Sequence, residues 1–423
     1  MNTAGTPLAD WLAQLETLSP CEIDLRLERV ERVLRRLALP QPKTVFHIAG
    51  TNGKGSSVAM LESLLRSTGE RIGCYTSPHI IRYNERIRVD GVEATDEQIV
   101  AAFEQIEVVR GGEALTYFEY GTLAAMVVFA ERLVDVAILE VGMGGRFDAV
   151  NAIEPDAGLI TNISLDHCDW LGNDIETIAF EKAGIMRGDK PVIFASRDVP
   201  RSILSQADEV GASLFTAGKD FDWSADGEQW SWQGSAHQLA GLEWPALAGK
   251  HQVGNAAAVL ALVEAAGLGE LLDVATVNSA FAQLQLDGRM QQIDAGVSWV
   301  LDVAHNPAAS AALADTLREA SHRGQTVAIM AMLDDKDVEG FVAPLQDQVS
   351  HWIAVTADSP RAIEAAELAR QVANTTNLAC LVAGSLDEAI SCALQLTQPG
   401  DRVLVTGSFY LVGPALNQLY SRR

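Results

Sequence analysis

The 423-residue sequence is poor in cysteine, in basic charge and in long apolar runs. Its five cysteines are scattered and form no CxxC pair, which excludes a disulfide framework and a cysteine-based zinc site. We expect reduced thiols at all of them, namely Cys21, Cys74, Cys168, Cys380 and Cys392.

Basic charge is scarce, because 31 lysines and arginines stand against 56 acidic residues and leave a net charge of −25. Nucleic acid and anionic membranes are bound by cations that neutralise phosphates, so neither is an expected partner. The longest apolar run, near residues 123–130, is too short to span a bilayer, and no basic segment precedes an apolar one at the N-terminus. We therefore expect a cytoplasmic protein.

Glycine is concentrated where a strand pattern ends, in the segment GTNGKGS at residues 50–56. Backbone N–H groups beside glycines, the Lys54 cation and a helix N-terminus that we expect to open at Ser56 all suit phosphate oxygens. Ile48 stands in place of the first glycine of the strict Walker pattern, which points to a particular subset of ATP-binding proteins.

Strand-like and helix-like patterns alternate along the chain, which predicts a parallel sheet wrapped by helices. The predicted fold class is α/β, with an N-terminal P-loop sheet domain over 1–286 and a smaller, Rossmann-like α/β domain over 287–423. Predicted strands of the first domain are Thr44–Ala49, Ile72–Thr76, Val134–Val141 and Ala157–Ile163, with a β-hairpin at Phe221–Trp232. Those of the second are Ser298–Val303, Thr326–Ala331, His351–Val355 and Arg402–Thr406.

Polar residues follow three further strands of the first domain, namely Ser77, Glu140 and His167. In parallel sheets, ligands bind beyond the carboxyl ends of the strands, and Mg²⁺ prefers oxygen ligands. Ser77 and Glu140 therefore suit a metal that bridges ATP phosphates, with His167 as a further ligand. In the alternative interpretation, Ser77 shapes a turn before Pro78, Glu140 pairs with Arg146, and His167 caps a helix.

The ordered set of motifs resembles the folylpolyglutamate synthases, which are relatives of the Mur ligases. The motifs are GTNGKG at 50–55, SPH at 77–79, EVGMGGR at 140–146, DH at 166–167, WLG at 170–172, EKAGI at 181–185 and DVAHNP at 302–307, and they span nearly the whole chain. The resemblance implies an ATP-dependent ligase that activates a carboxylate as an acyl phosphate and joins it to the amine of L-glutamate.

The resemblance also implies residue roles. ATP contacts fall on Thr51, Asn52, Gly53, Lys54, Gly55, Ser56, Asn255, Arg289 and Asp302, and metal contacts on Ser77, Glu140 and His167. We expect two Mg²⁺ ions. The implied catalytic residues are Lys54, His167 and Lys182, and Lys182 is expected to be carbamylated by CO₂. Without the resemblance, Lys182 would be interpreted as a solvated helix lysine beside Glu181.

Bacterial bifunctional members of the family also add the first glutamate to dihydropteroate. Residues that match their dihydropteroate site are Thr17, Leu18, Ser19, Thr116, Tyr117, Phe118, Glu119, Phe147, Asp148 and Ala149. Aromatic rings beside carboxylates suit a flat, hydrogen-bonding pterin. In the alternative interpretation, Tyr117 and Phe118 are core residues at the start of a helix.

Three interpretations stay open. The chain is a bifunctional ligase, a folylpolyglutamate synthase without dihydropteroate activity, or a nucleotide-binding regulatory module without turnover. Intact Lys54, Glu140, His167 and Lys182 favour an enzyme, and the lack of an obvious UDP-sugar domain disfavours a Mur-type peptide ligase. We expect a monomer whose partners are small molecules: ATP, L-glutamate, dihydropteroate and reduced folates.

Overall fold

The computed structural model describes residues 7–18, 26–320 and 322–421. The helices are α1 Leu8–Leu18, α2 Glu28–Leu37, α3 Lys54–Leu65, α4 Asp96–Val109, α5 Tyr117–Glu131, α6 Cys168–Leu171, α7 Ile175–Ala183, α8 Arg201–Val210, α9 His251–Ala265, α10 Val274–Phe281, α11 Pro307–Glu319, α12 Val338–Val342, α13 Ala365–Thr376, α14 Leu386–Leu396 and α15 Phe409–Ser421.

The strands make three sheets. They are β1 Thr44–Ala49, β2 Ile72–Tyr75, β3 Ile87–Val89, β4 Val92–Glu93, β5 Val136–Glu140, β6 Ala157–Ile160, β7 Pro191–Phe194, β8 Ser213–Thr216, β9 Asp222–Asp226, β10 Gln229–Gln233, β11 Gln238–Glu243, β12 Gln291–Ala295, β13 Val297–Leu301, β14 Thr326–Met330, β15 His351–Val355, β16 Cys380–Ala383 and β17 Arg402–Thr406.

The chain divides into two compact units. The first comprises Met1–Ile163, Asp174–Pro245 and Val253–Leu284, and the second comprises Ser164–Asn173, Ala246–Gln252 and Gln285–Arg423. Each unit contains its own sheet and its own apolar core, so the α/β class with two sheets that the sequence predicts is confirmed.

The first unit is built on an eight-stranded sheet of order β4-β3-β2-β5-β1-β6-β7-β8. The six neighbouring strands β2, β5, β1, β6, β7 and β8 run parallel to one another, and β3 and β4 add an antiparallel edge next to β2. Every residue of β5 is buried, which explains its unbroken apolar sequence, since a central parallel strand is covered on both faces. The carboxyl ends of β2, β5, β1 and β6 therefore lie side by side.

Helices cover the sheet of the first unit. On one face, Trp11 of α1 packs on Phe103 of α4 with ring centroids 5.7 Å apart, and Phe103 meets Tyr120 of α5 edge-on at 5.9 Å. Aromatic burial of this kind contributes most of the packing free energy of such a layer. A small antiparallel sheet of order β11-β10-β9 completes the unit.

The second unit contains a six-stranded sheet of order β12-β13-β17-β14-β15-β16. All neighbours pair in parallel except β12, which is antiparallel to β13 at one edge. Its core includes the fully buried side chains of Trp352 and Phe341.

Several predicted boundaries move by a few residues, and some short strands were not predicted. The predicted strand Ala157–Ile163 ends at Ile160, and the predicted hairpin continues into a third strand, β11. The strands β3, β4, β12 and β16 have two to five residues each, too few to show a sequence period.

The structure also bears on membrane-spanning helices and on the cysteines. No helix among the described residues is long and apolar enough to cross a membrane. Four of the cysteines, Cys74, Cys168, Cys380 and Cys392, are free thiols, and Cys21 lies outside the described residues.

Candidate active site

The phosphate loop connects β1 to α3. The helix begins at Lys54, with Gly53 at its N-cap position in a left-handed conformation at φ 88°. The prediction that Ser56 opens the helix is therefore wrong, because Gly53 makes the turn and the helix begins two residues earlier than Ser56. The Lys54 Nζ atom donates to the carbonyls of Gly50 at 3.1 Å and Thr51 at 3.2 Å, so its side chain folds back over the loop.

Neighbouring segments hold the loop in shape. The Asn52 N–H donates to Asn162 Oδ1 at 3.0 Å, and the Thr161 hydroxyl donates to the Asn52 carbonyl at 2.6 Å. Asn255 of α9 packs so closely on the loop that a Cβ atom on Gly53 would lie 2.7 Å from its Oδ1. The structure thus brings the predicted ATP residues 51–56 and Asn255 together in the first unit.

Glu140 ends β5 beside the loop and is 4% exposed. Its Oε2 accepts from the Ser77 N–H at 3.4 Å and would lie 3.7 Å from a Cβ atom on Gly55. Two of the three predicted metal ligands therefore meet next to the phosphate loop. The proposed pairing of Glu140 with Arg146 is not formed, because Arg146 contacts Gln206 and the carbonyl of Phe180 instead.

The donor set of this corner fits a hard divalent cation. A carboxylate and a hydroxyl supply oxygen, and a metal that bridges nucleotide phosphates takes its other ligands from phosphate and water. The described residues contain no group of three or more His, Cys, Asp and Glu side chains that could hold a metal by themselves. A metal here would therefore depend on the nucleotide for part of its coordination.

Lys182 lies in the last turn of α7 and is 4% exposed. Its Nζ donates to the Gly50 carbonyl at 3.0 Å, the same oxygen that Lys54 contacts. The interpretation of Lys182 as a solvated helix lysine is therefore wrong. Helical sequence periodicity does not show that α7 presents this lysine to the phosphate loop.

The predicted pterin segment opens α5. Thr116 caps the helix and forms a capping box with Glu119, whose carboxylate accepts from the Thr116 N–H at 2.6 Å. Glu119 also pairs with Arg29 of α2 at 2.7 Å, with both side chains nearly buried. Both polar residues thus have structural partners, and the sequence pattern Thr-x-x-Glu is a signal for a helix that begins at Tyr117.

Phe118 and Asp148, two predicted pterin residues, meet over Gly142. A Cβ atom on Gly142 would lie 2.5 Å from the Phe118 ring and 3.2 Å from Asp148 Oδ2, so only glycine fits between them. Phe147, next in the chain to Asp148, is 44% exposed. These residues form a surface in which aromatic rings stand beside a carboxyl group.

The remaining predicted pterin residues lie elsewhere or are not described. Ala149 begins a short 3₁₀ turn after Asp148 and is buried. Thr17 is exposed in the last turn of α1, where its hydroxyl donates to the Gln14 carbonyl at 2.8 Å. Leu18 ends that helix, and Ser19 lies outside the described residues.

Arg86 is a buried cation in this region. It is 8% exposed, donates from Nε to His79 Nδ1 at 2.9 Å and lies 5.5 Å from the ring centroid of Tyr117. Burial lowers the pKa of His79 to about 4, with Arg86 adding to the effect, so the imidazole is neutral near pH 7 and can accept this hydrogen bond. The contacts join separate segments, and no local pattern reveals them.

We expect the carboxyl group of Asp148 to make stability depend on pH. Burial raises the pKa of Asp148 from 3.8 to about 7, against the opposing hydrogen bonds from the Met143 and Val150 N–H groups. The unfolded chain loses this proton near pH 4 while the folded chain keeps it to about pH 7, so stability falls over that window by about 1.4 kcal/mol per pH unit. Below the window, both states are protonated and the effect vanishes.

The measurement is the melting temperature of wild type and of Asp148→Asn between pH 4 and 8. Because the amide cannot ionise, the melting temperature of the variant relative to wild type should rise between about pH 4 and pH 7 and then level off. A difference that stays constant with pH would contradict the raised pKa.

The second unit holds His167 in a separate polar cluster. Asp166 Oδ1 accepts from the His167 N–H at 2.9 Å and from Lys336 Nζ at 2.6 Å, while its Oδ2 accepts from Asn306 Nδ2 at 2.9 Å. Burial acts to raise the pKa of Asp166, but His305, His167 and Lys336 together hold it below its ordinary value. Asp166 is thus an ionised anchor for the backbone of His167.

The other two predicted ATP residues also lie in the second unit. Asp302 follows β13 and accepts from the Met290 and Ala304 N–H groups, each at 2.9 Å. Burial raises the pKa of Asp302, and the nearby Arg289 cation opposes that shift. Because the charge of Arg289 acts on Asp302, these two residues form one local group. Arg289 also lies 5.6 Å from the ring centroid of Phe409.

Comparison with known proteins identifies the family. The family model "Mur ligase middle domain" matches residues 48–263, and "Mur ligase, glutamate ligase domain" matches residues 288–409. The dihydrofolate synthase/folylpolyglutamate synthase of Escherichia coli is 39% identical over 421 residues, covering 99% of this chain and 97% of that protein. The chain belongs to this family of Mur ligases. The resemblance that the motifs indicate is confirmed.

Other relatives of the family agree. The enzyme of the same name from Haemophilus influenzae is 36% identical, with 97% of each chain covered. A solved structure of Escherichia coli FolC in complex with DHPP and ADP matches at a TM-score of 0.93 and 38% identity, with all of both chains covered. A bifunctional folylpolyglutamate synthase/dihydrofolate synthase with Mn, AMPPNP and L-glutamate bound matches at 0.91 and 38% identity, with 99% of each chain covered.

Proposed function

We propose that this protein is an ATP-dependent ligase that adds L-glutamate to dihydropteroate and to folylglutamates. The observation that carries the proposal is the convergence of Lys54, Lys182 and Glu140 around the phosphate loop, from the start of α3, the end of α7 and the end of β5. Lys54 and Lys182 both contact the Gly50 carbonyl, and Lys54 supplies positive charge to a protein that is strongly acidic overall. The relatives named above, which are ligases of this kind, support the same conclusion.

The reaction proceeds in two steps, transfer of a phosphoryl group and formation of an amide. A carboxylate oxygen of the acceptor attacks the γ-phosphorus of ATP, the bond to the β-phosphate oxygen breaks, and ADP leaves. The amine of L-glutamate then attacks the acyl carbon, phosphate leaves, and the amide nitrogen loses a proton. Both reactants of the first step are anions, so charge neutralisation and alignment are the main demands on the protein.

The chain's own residues meet those demands as follows. The N–H groups of the loop and Lys54 hold the phosphates, with Lys54 released from the Gly50 and Thr51 carbonyls toward the nucleotide. We assign the remaining ATP contacts to Asn255, Arg289 and Asp302, as the sequence predicts.

Ser77, Glu140 and His167 are the residues that would hold divalent metal. We propose Mg²⁺ as the ion and two as the number, and a metal supplies charge neutralisation on the transferring phosphoryl group. Manganese bound with AMPPNP in a similar structure supports a divalent ion at a site of this kind.

Lys182 is proposed to act as its carbamate. The ammonium group first loses one proton, the Nζ lone pair of the neutral amine then bonds to the carbon of CO₂, and a second proton leaves, so that the side chain becomes an anion. Burial supports this modification, because removal from water disfavours the charged form of a lysine, and only the neutral amine reacts with CO₂.

The acceptor site is proposed to include the pterin surface around Phe118, Tyr117, Phe147 and Asp148. The carboxyl group of Asp148 can form hydrogen bonds with the polar edge of a pterin, and aromatic rings can cover the faces of the ring system. This surface supports dihydropteroate as a substrate in addition to reduced folates.

The test is an assay of the purified protein with ATP, L-glutamate and either dihydropteroate or tetrahydrofolate. We expect glutamate-dependent phosphate release and a glutamyl adduct by mass spectrometry with both acceptors. Turnover with tetrahydrofolate but not with dihydropteroate would show that the protein is a folylpolyglutamate synthase without dihydropteroate activity. ATP binding without phosphate release in either mixture would favour a nucleotide-binding regulatory module without turnover.

A further inference from the structure

Asn151 joins two segments of the first unit where α7 ends. Its Nδ2 donates to the carbonyls of Arg146 at 2.9 Å and Gly184 at 3.1 Å, and its Oδ1 accepts from the Arg187 guanidinium at 3.0 Å. The residue is 7% exposed, so water cannot replace these bonds if they are lost. Because its amide is fully used by protein groups, Asn151 is a structural link between segments and does not face a ligand.

The two segments are also in direct backbone contact. The Arg146 N–H donates to the Glu181 carbonyl at 2.8 Å. A Cβ atom on Gly145 would lie 2.9 Å from the carbonyl oxygens of Glu181 and Lys182, and one on Gly184 would lie 2.4 Å from Arg146 Cα. The glycines of this turn thus let the chain after β5 touch the helix turn that carries Lys182.

The side chain of Arg146 adds a third contact to α7. Its guanidinium carbon lies 4.0 Å from the ring centroid of Phe180, and the group donates to the Phe180 carbonyl at 3.3 Å and to Gln206 Oε1 at 2.6 Å. Phe180 precedes Lys182 by two residues in the same helix. Arg146 therefore holds the end of α7 from the side chain as well as from the backbone.

These contacts determine where Lys182 can reach. Its Nζ reaches the Gly50 carbonyl from the last turn of α7, so a displacement of that turn moves the point from which the side chain extends. A displacement of about 1 Å in a catalytic group can cost about a hundredfold in rate. The rigidity of this turn is therefore important for any role of Lys182.

We propose that Asn151 is a positioning residue of the ligase reaction, which acts through Arg146 and Gly184 to fix the last turn of α7 and hence Lys182 Nζ against the phosphate loop. The inference rests on the proposed function, because it assumes that Lys182 takes part in the reaction. It assigns a role to a residue outside all the predicted sites.

Asn151→Asp is the test substitution. It keeps the size of the side chain and the acceptor for Arg187, but it turns a carboxylate oxygen toward two carbonyl oxygens in place of the donating amide. We expect kcat to fall at least about tenfold while the KM for ATP stays within about twofold, since the loop residues that bind phosphate are unchanged. The ¹³C NMR signal of a Lys182 carbamate, formed with ¹³C-bicarbonate, should weaken at a fixed bicarbonate concentration.

Asn84→Asp is the matched control. Asn84 is 3% exposed, and its Nδ2 likewise donates to two oxygens, those of the Ala94 carbonyl and the Asp96 carboxylate, each at 2.8 Å. Its replacement should destabilise the protein to a similar degree without weakening the carbamate signal. If Asn151→Asp does not fold, Arg146→Lys serves instead, because lysine keeps the charge but cannot both cover Phe180 and reach Gln206.

A double-mutant cycle separates positioning from a general structural effect. In a Lys182→Ala background rescued with acetate, Asn151→Asp should change kcat by no more than about twofold, because its target side chain is gone. Full additivity of the two substitutions, or an unchanged carbamate signal in Asn151→Asp, would overturn the inference. Full activity of Lys182→Ala alone would instead refute the role of Lys182 in the proposed function, and the inference with it.

Discussion

Gly50→Ala is expected to abolish ATP binding. Gly50 adopts φ 141°, and a Cβ atom there would lie 1.9 Å from Thr161 Oγ1 and 3.0 Å from the Thr161 backbone nitrogen. The contact cannot be relieved by rotating the hydroxyl, because the backbone nitrogen is also close. The Gly50 carbonyl is also the acceptor for both Lys54 and Lys182, so any shift of the loop changes the contacts of two lysine side chains together.

The measurement is calorimetric titration with ATP and magnesium. We expect the dissociation constant to rise by about a hundredfold or more, since the loop N–H groups and Lys54 are displaced at once. Gly112→Ala is the matched control, because Gly112 also has a positive φ, 86°, but an added Cβ atom there meets nothing within 4 Å. Comparable ATP affinity in Gly50→Ala and Gly112→Ala would contradict the assigned role of the loop.

Local sequence signals mark the proposed phosphate site because its parts are close together in the chain. Glycine spacing marks the loop at 50–56, and an unbroken apolar run marks the central strand β5 that presents Glu140. Ser77 and Glu140 lie side by side because β2 and β5 are neighbouring parallel strands, and the carboxyl ends of such strands lie at the same edge of the sheet.

The rest of the candidate site depends on contacts between distant segments, which no local pattern reports. Lys182 occurs in an ordinary helical sequence, and only the packing of α7 turns it toward Gly50, 132 residues earlier in the chain. The same holds for Arg29, which is buried against Glu119 although the other arginines of its helix suggest a solvated surface. Asn151 has no motif of its own, because its partners are backbone carbonyls.

The largest expected loss of catalysis is in Lys182→Ala. Lys182 is buried, and the lost hydrogen bond to the Gly50 carbonyl is partly replaced, because Lys54 donates to the same oxygen. The phosphate loop should therefore keep its shape and still bind ATP. The carbamate that we propose is lost with the side chain, and kcat should fall by about a hundred- to a thousandfold, as for the loss of one preorganised charged group.

Chemical rescue distinguishes this role from a structural one. The deleted side chain leaves room beside the loop, and a short carboxylic acid such as acetate can place an anionic group where the carbamate would have been. We expect acetate to restore at least about tenfold of the lost kcat in Lys182→Ala and to leave wild type unchanged. Lys219→Ala, which removes a lysine that is largely exposed in the same unit, should behave as wild type throughout. Full activity of Lys182→Ala without acetate would refute the carbamate, and an inactive variant that still binds ATP but gains nothing from acetate would show that Lys182 acts as a cation.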